Sequence, residues 1–167
     1  DVPIAHIEFL TLSDWVAPSA ELLSELEPAR RDAATPSAYA HAVCDFVNDR
    51  LSYVEGATEV TSTGADAWAA RSGVCQDFAH ITLGALRSAG IPARYVSGYL
   101  HPQQDPLIGE EVAGESHAWI EWWDGAWIGF DPTNDRVADA HHVIVARGRD
   151  YDDVPPLRGI YSTRGES

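Results

Sequence analysis

The sequence predicts an α+β fold in which helices come first and an antiparallel sheet follows. Residues 1–60 read mostly as helices, and two further helical stretches lie on either side of a glycine turn within residues 64–90. Residues 93–147 read as strands, with two aromatic-rich runs that flank a turn signal. The 167 residues are enough for one domain with a sizeable hydrophobic core, and residues 148–167 are expected to form an irregular tail.

Capping residues place the first helices. The segment Val2–Leu12 is short and mixed, and it is expected to be an edge strand or a linker. Residues 19–26 carry leucines at helical spacing, and Thr35-Pro36 supplies a capping hydroxyl followed by proline at the first helical position. The helix that follows has one apolar stripe, made of Tyr39, Val43, Phe46, Val47 and Leu51.

Composition excludes several classes of function. Eleven basic and 26 acidic residues give a net charge of −15, which repels nucleic acid and anionic membrane surfaces. Two cysteines cannot form a disulfide framework or a four-cysteine zinc site, so no metal or other cofactor is expected. No apolar run is long enough to span a bilayer and no signal segment is visible, so a cytoplasmic location is expected; the oligomeric state is left open.

The start of the chain carries its own expectation. The sequence contains no Met and begins at Asp1, which indicates a processed product or an excised piece of a longer protein. We therefore expect residues 1–34 to be a linker and helix that follow an upstream domain. Residues 35–167 are expected to form the catalytic core.

Cys75 is predicted to open a helix. Thr63, with Asp66 three residues later, caps the preceding helix, which ends near Gly73. The new helix continues to a stop at Gly90-Ile91-Pro92, and a strand follows. A helix N-terminus carries positive partial charge, which favours a thiolate, so Cys75 is a candidate nucleophile. Cys44, inside the second helix, is expected to be a small buried hydrophobe.

The stretch Ser116–Phe130 predicts a hairpin around Asp124-Gly125. A two-residue loop would mix apolar and polar residues on each face, whereas a three-residue loop, residues 123–125, sorts them. That register places His117 directly opposite Asp131, about 5 Å apart at Cβ, and Trp119 opposite Gly129. The apolar face then holds Ala118, Ile120, Trp122, Ala126, Ile128 and Phe130, and the other face holds His117, Trp119, Glu121, Trp127, Gly129 and Asp131.

A thiol, an imidazole and a carboxylate in this order are the residue types of a nucleophile, a base and a group that orients the base. Cys75, His117 and Asp131 therefore form a candidate catalytic triad. Trp119 and Trp127, on the His117 face, are candidates for substrate binding. The only oxyanion donor that the sequence supports is the backbone N–H of Cys75 itself.

Three other groups receive structural interpretations. Asp77 is expected to pair with a donor such as Arg94, because a free carboxylate would raise the pKa of the nearby thiol. His80 is expected to be a hydrogen-bonded structural residue, and the adjacent residues His141 and His142 should point to opposite faces of a strand, which disfavours a shared metal ion. Trp68 is expected to pack in the core rather than to reach the site.

Several blocks of sequence resemble the core of bacterial transglutaminase-like proteins. They are Gly73–His80, Leu86–Tyr99, Ser116–Trp119, Gly129–Asn134 and Gly148–Gly159, so the resemblance covers about residues 35–161. It implies a papain-like α+β fold, with the cysteine-bearing helix packed on an antiparallel sheet, and a triad of Cys75, His117 and Asp131.

The resulting hypothesis is thiol-dependent acyl transfer on an amide of a protein or peptide, through a thioester on Cys75. Water as the acceptor gives hydrolysis and an amine gives transamidation; the sequence slightly favours hydrolysis but does not separate them. The alternative is a non-catalytic peptide-binding module on the same fold, although the presence of all three triad residues argues against it.

Overall fold

Helices precede one antiparallel sheet in the computed structural model, which describes residues 2–59, 61–102, 109 and 111–156. The α+β prediction is therefore confirmed. The helices are α1 (Ala20–Asp32), α2 (Pro36–Arg50), α3 (Gly64–Ala70) and α4 (Cys75–Ser88). The strands are β1 (Ser52–Tyr53), β2 (Ser72–Gly73), β3 (Ala93–Leu100), β4 (Glu115–Trp123), β5 (Trp127–Asp131), β6 (Arg136–Val137) and β7 (His142–Gly148).

The predicted caps are present. The Thr35 hydroxyl accepts a hydrogen bond from the Ala38 N–H at the start of α2. Thr63 and Asp66 form the predicted reciprocal capping box at the start of α3. Helix α3 ends where Arg71 takes a left-handed conformation with φ of 54°. These local signals fix the helix boundaries because each one satisfies backbone groups that a helix leaves free at its ends.

The N-terminal segment differs from its prediction. Residues Ile4–Leu10 form a 3-10 helix and not an edge strand. Its aromatic side chains pack on the hairpin: the Phe9 ring contacts Trp127, and the His6 ring contacts both Trp123 and Trp127. Contacts with the tryptophans of the hairpin thus hold this segment against the sheet. Most of the predicted loop at residues 101–114 lies outside the described residues.

The five-stranded sheet has the order β6-β5-β4-β3-β7, with antiparallel neighbours. A separate two-stranded ladder pairs β1 with β2 in parallel, so Tyr53 lies beside Gly73 just before α4 begins. This ladder anchors the chain that leads into Cys75, because the Val54 N–H also donates to the Gly73 carbonyl at 3.0 Å. Pairing with β1 therefore fixes the backbone that leads into α4.

Helix α4 lies at the centre of the molecule and packs against β3, β4, α2 and α3. All residues from Gln76 to Arg87 are buried. Helix α1 contributes Leu22 and Leu26 to the same core, and Cys44 is fully buried in it, as predicted. Among the described residues no helix is long and apolar enough to cross a membrane.

Candidate active site

Cys75 is the first residue of α4 and is partly exposed. Val74, which precedes it, has extended backbone, so the helix begins at the cysteine itself. The first backbone N–H groups of a helix have no acceptor within the helix. Cys75 therefore lies at the positive end of the helix dipole, which favours a thiolate.

Asp77 holds this helix start together, but through partners other than the predicted one. Its Oδ2 atom accepts hydrogen bonds from the Val74 N–H at 2.8 Å and the Thr58 hydroxyl at 2.6 Å. Arg94 instead pairs with Glu121, so the predicted Asp77–Arg94 pair was wrong. Gly73 is required here, because a Cβ atom at that position would lie 2.6 Å from the carboxylate of Asp77. Burial raises the pKa of Asp77.

His117 on β4 is bonded on both sides of its ring. Its Nε2 atom lies 2.8 Å from Oδ2 of Asp131 on β5. With Nε2 engaged, Nδ1 is the ring nitrogen available to Cys75, which lines the same cleft as His117. His117 thus lies in one cleft with the thiol and is hydrogen-bonded to the carboxylate.

Asp131 is completely buried and its carboxylate is saturated with donors. Oδ1 accepts from the backbone N–H groups of Thr133 and Asn134, at 3.1 and 3.2 Å. Oδ2 accepts from the Asn134 side chain at 2.8 Å as well as from His117. The turn after β5 therefore supplies much of the solvation that the buried carboxylate has lost.

The electrostatics of the pair follow from this geometry. Burial on its own would lower the pKa of His117, but hydrogen bonds to Asp131 and Cys75 and their negative charges outweigh it and raise that pKa to about 9. Burial would likewise raise the pKa of Asp131, but the hydrogen bonds from His117 and His142 hold it well below its usual range. An ionised Asp131 beside a protonated His117 is the favoured state at neutral pH.

The hairpin register differs from the prediction by two residues. Trp123 pairs with Trp127 and Glu121 pairs with Gly129, so the three-residue loop is Asp124–Ala126 and not residues 123–125. A shift of two preserves which residues share a face, because side chains alternate with a period of two. His117 is therefore a diagonal neighbour of Asp131 and not the directly opposed one. The long imidazole spans the extra distance.

The two tryptophans proposed for substrate binding lie elsewhere. Trp119 has no exposed surface, and its ring stacks on His117 at 6.1 Å between centroids. Trp127 packs against Phe9 and lies under the guanidinium of Arg94, at 4.0 Å. Both indoles share the His117 face of the hairpin, but neither lines the cleft that contains Cys75.

An open cleft of about 200 Å³ leads to Cys75 instead. Tyrosines from two different elements, Tyr95 on β3 and Tyr151 after β7, lie along it. Its lining residues are Val74, Cys75, Gln76, Tyr95, Ser97, Ser116, His117, Ala118, Tyr151 and Pro156. These residues all lie in sequence blocks that carry the family resemblance, but they come from four separate segments that only the tertiary fold brings together.

His142 is the site residue that sequence reasoning missed. Its Nε2 atom lies 3.0 Å from Oδ2 of Asp131, the atom that also binds His117. Among the described residues the group that could hold a metal ion is His117, Asp131 and His142, whose ligand atoms lie within 4.8 Å of one another. The Nε2 atoms of the two histidines are each at hydrogen-bond distance from Oδ2 of Asp131. The alternation of a strand was the available signal, since one of His141 and His142 had to face inward.

Comparisons with known proteins identify the family of this chain. Residues 26–132 match the model of the transglutaminase-like superfamily. An uncharacterized protein of Mycobacterium leprae is 54% identical over 124 residues, which is 74% of this chain and 44% of that protein. An uncharacterized protein of Mycobacterium bovis is 43% identical over 127 residues, which is 70% of this chain and 40% of that protein. The chain thus spans less than half the length of these relatives.

Solved structures show the same fold. A crystal structure described as a putative cysteine protease from Cytophaga hutchinsonii is 29% identical with a TM-score of 0.77, over 93% of this chain and 50% of that one. The periplasmic domain of TgpA from Pseudomonas aeruginosa is 27% identical with a TM-score of 0.64, over 81% of this chain and 49% of that one. The predicted papain-like arrangement, with a cysteine helix on an antiparallel sheet, is confirmed by these matches. Because the family model covers more than half of its residues, the chain belongs to the transglutaminase-like superfamily.

Proposed function

We propose that this chain catalyses cysteine-dependent acyl transfer on amides of proteins or peptides. The observation that carries the proposal is the cleft shared by the partly exposed Cys75 and His117, whose ring is hydrogen-bonded to the buried Asp131. A structural cysteine needs neither a helix N-terminus nor an imidazole held by a carboxylate. The same features support an enzyme over a non-catalytic peptide-binding module.

In the proposed reaction the Cys75 thiolate attacks the carbonyl carbon of the amide. The C–N bond then breaks, His117 gives its proton to the leaving amine, and a thioester remains on Cys75. Asp131 stabilises the imidazolium and keeps Nδ1 directed at the sulfur. The backbone N–H of Cys75 is the proposed donor to the oxyanion, since it lies at the helix start without an intrahelical acceptor.

Hydrolysis is the proposed second half of the reaction. Cys75 is partly exposed in an open cleft, so water can reach the thioester. His117 takes a proton from the attacking water while the C–S bond breaks, which regenerates the thiolate–imidazolium pair. Transamidation is the second candidate, because a Pseudomonas aeruginosa relative named protein-glutamine gamma-glutamyltransferase is 39% identical over 83 residues, 43% of this chain and 12% of that protein.

Alkylation by iodoacetamide at neutral pH tests whether the thiol is activated. We expect Cys75 to react much faster than a free cysteine, and mass spectrometry of the labelled peptides identifies the site. Cys44→Ala is the matched control, since it removes the other thiol and should leave the fast reaction in place. A Cys75 that labels only at the rate of an ordinary thiol would favour the binding module.

A glutamine-containing peptide separates the two acceptors. Release of ammonia with formation of glutamate indicates hydrolysis, whereas added hydroxylamine that appears as a hydroxamate indicates transfer to an amine. Both products should be absent with Cys75→Ala while its circular dichroism spectrum stays that of the wild type. Turnover that persists in Cys75→Ala would contradict the proposed nucleophile.

A further inference from the structure

Two imidazoles converge on one oxygen of Asp131. The Oδ2 atom lies 2.8 Å from Nε2 of His117 and 3.0 Å from Nε2 of His142. The His142 side chain is only 1% exposed, so water does not replace either contact. A catalytic carboxylate needs one imidazole as its partner, and the second ring calls for an explanation.

The direction of the His142–Asp131 hydrogen bond follows from the carboxylate. An ionised Asp131 can only accept, so Nε2 of His142, at 3.0 Å from Oδ2, carries a proton and donates it. On the other side of the ring, Nδ1 lies 3.1 Å from the Asp139 N–H and 3.3 Å from Oδ1 of the Asp139 carboxylate. The turn that supplies Asp139 is closed by a second bond, from the His142 N–H to the Asp139 carbonyl at 3.0 Å.

Packing keeps the ring in this orientation. The edge of His142 meets the Trp119 indole at 5.1 Å between centroids and 73° between planes, while His117 stacks on the same indole. The rings of His117 and His142 therefore both pack against the buried Trp119 indole. This explains why the indole is buried on the His117 face and is not in the substrate cleft.

We propose that His142 is a positioning residue for the reaction, because its Nε2–H fixes the Asp131 carboxylate and shares the oxygen that His117 binds. The inference rests on the proposed function of Cys75, His117 and Asp131. His142 adds a third donor to Oδ2, beside His117 and the Asn134 amide, and so disperses the negative charge of that oxygen and weakens its pull on the His117 proton. His142 would therefore moderate the basicity of His117 as well as orient it.

Substitution of His142 by Phe keeps the ring and removes the donor. We expect the His117 titration, followed by nitrogen NMR of the imidazoles, to move upward by about half a pH unit or more. The rate of Cys75 alkylation by iodoacetamide at neutral pH should fall by about tenfold, because Asp131 is held less firmly. The alkaline limb of the alkylation profile should move with the His117 titration.

Two further variants separate positioning from packing. His142→Gln places an amide N–H near the position of Nε2, so it should restore both the titration and much of the alkylation rate. His141→Phe is the matched control: this neighbouring ring bonds the carboxylate of Asp139 at 3.0 Å, and the substitution should leave both readouts unchanged. A folded His142→Phe protein with wild-type titration and alkylation would overturn the proposal.

The wild-type protein provides a test that no folding defect can obscure. Its NMR spectrum should show His142 protonated at Nε2, and an unprotonated Nε2 would overturn the inference. The NMR readouts do not depend on turnover. A slow Cys75 in the wild type would therefore count against the proposed function, while the tautomer and the His117 titration would still decide the role of His142.

Discussion

Two buried histidines, His80 on α4 and His117 on β4, have pKa values displaced in opposite directions. Burial, with the positive charge of Arg87, lowers the pKa of His80 to about 3. His117 is 9% exposed and thus almost as buried, yet its pKa is raised to about 9. The difference lies in the partners, because His80 accepts a hydrogen bond from the Tyr151 N–H whereas His117 faces the carboxylate of Asp131.

The comparison shows that burial alone does not make an imidazole a catalytic group. A buried ring whose partner is a neutral backbone donor stays uncharged and serves as a structural acceptor, as was predicted for His80. A buried ring beside an ionised carboxylate keeps its proton and can deliver it to a leaving group. The fold thus holds one structural imidazole, at His80, and one that is proposed to be catalytic, at His117.

The strongest way to break the contrast is to make His117 resemble His80. Asp131→Asn removes the charge, so the pKa of His117 should fall and the ring can adopt the wrong tautomer. We expect kcat/KM on a glutamine-containing peptide to drop by about three to four orders of magnitude, as in serine triads. Nitrogen NMR of His117 would follow the pKa directly.

The matched control for this substitution is Asp135→Asn, which removes an exposed carboxylate from the turn after β5. It should retain kcat/KM within a few fold. An Asp131→Asn protein that is folded and as active as the wild type would show that the carboxylate does not govern His117.

His80 should make the protein sensitive to acid. Its folded pKa of about 3 lies below the unfolded value of 6.5, so the unfolded chain binds the proton more readily as pH falls through this range. Its contribution to the free energy of unfolding should shrink by about 3 kcal/mol between pH 7 and pH 4. Urea unfolding at both pH values should show a smaller pH dependence for His80→Gln.

His41→Gln, at an exposed histidine of α2, is the control for general effects of losing an imidazole. It should keep the wild-type difference between pH 7 and pH 4. Identical pH dependence in His80→Gln and the wild type would contradict the assigned role of His80.

The contribution of His117 to the free energy of unfolding should be lost at alkaline pH and not at acid pH. Its folded pKa of about 9 lies above 6.5, so its stabilising contribution is complete below pH 6.5 and is lost as pH rises through 9. We expect a loss of about 2 kcal/mol between pH 6.5 and pH 8.5. The difference in urea midpoints should nearly vanish in Asp131→Asn, and its persistence there would assign the effect to another group.

The smallest expected effect extends the comparison from imidazoles to thiols. Cys44 is fully buried inside α2, and burial raises its pKa well above the ordinary value. Cys44→Ala should leave kcat/KM unchanged and lower the free energy of unfolding by about 1 kcal/mol, measured by urea unfolding. Loss of activity in a folded Cys44→Ala protein would remove the distinction between the two cysteines.

The sequence by itself determined the local architecture. The start of α4 at Cys75, the strand Ala93–Leu100 and the cap at Thr63 all follow from residues that lie within a few positions of each other. Local hydrogen bonds and glycine conformations decide such boundaries, so they can be read without knowledge of the fold. The resemblance in separate blocks of sequence likewise identifies the family.

The sequence also placed His117, Trp119 and Asp131 on one face of the hairpin, because a period of two survives a register shift of two. It could not determine the register itself. Strand β4 pairs with β3 along nearly its whole length and the end of β5 pairs with β6, so neighbouring strands help to choose between registers that sort the residues equally well.

Only the tertiary structure decided the surroundings of the triad. Asp77 accepts a hydrogen bond from Thr58 and not from Arg94. Trp119 is completely buried. His142 is hydrogen-bonded to Asp131 although its strand, β7, is not adjacent to β5 in the sheet. These contacts join residues far apart in the chain, and they depend on how the sheet and the turns bring their side chains together. No local pattern encodes such distances, since each depends on the packing of the whole domain.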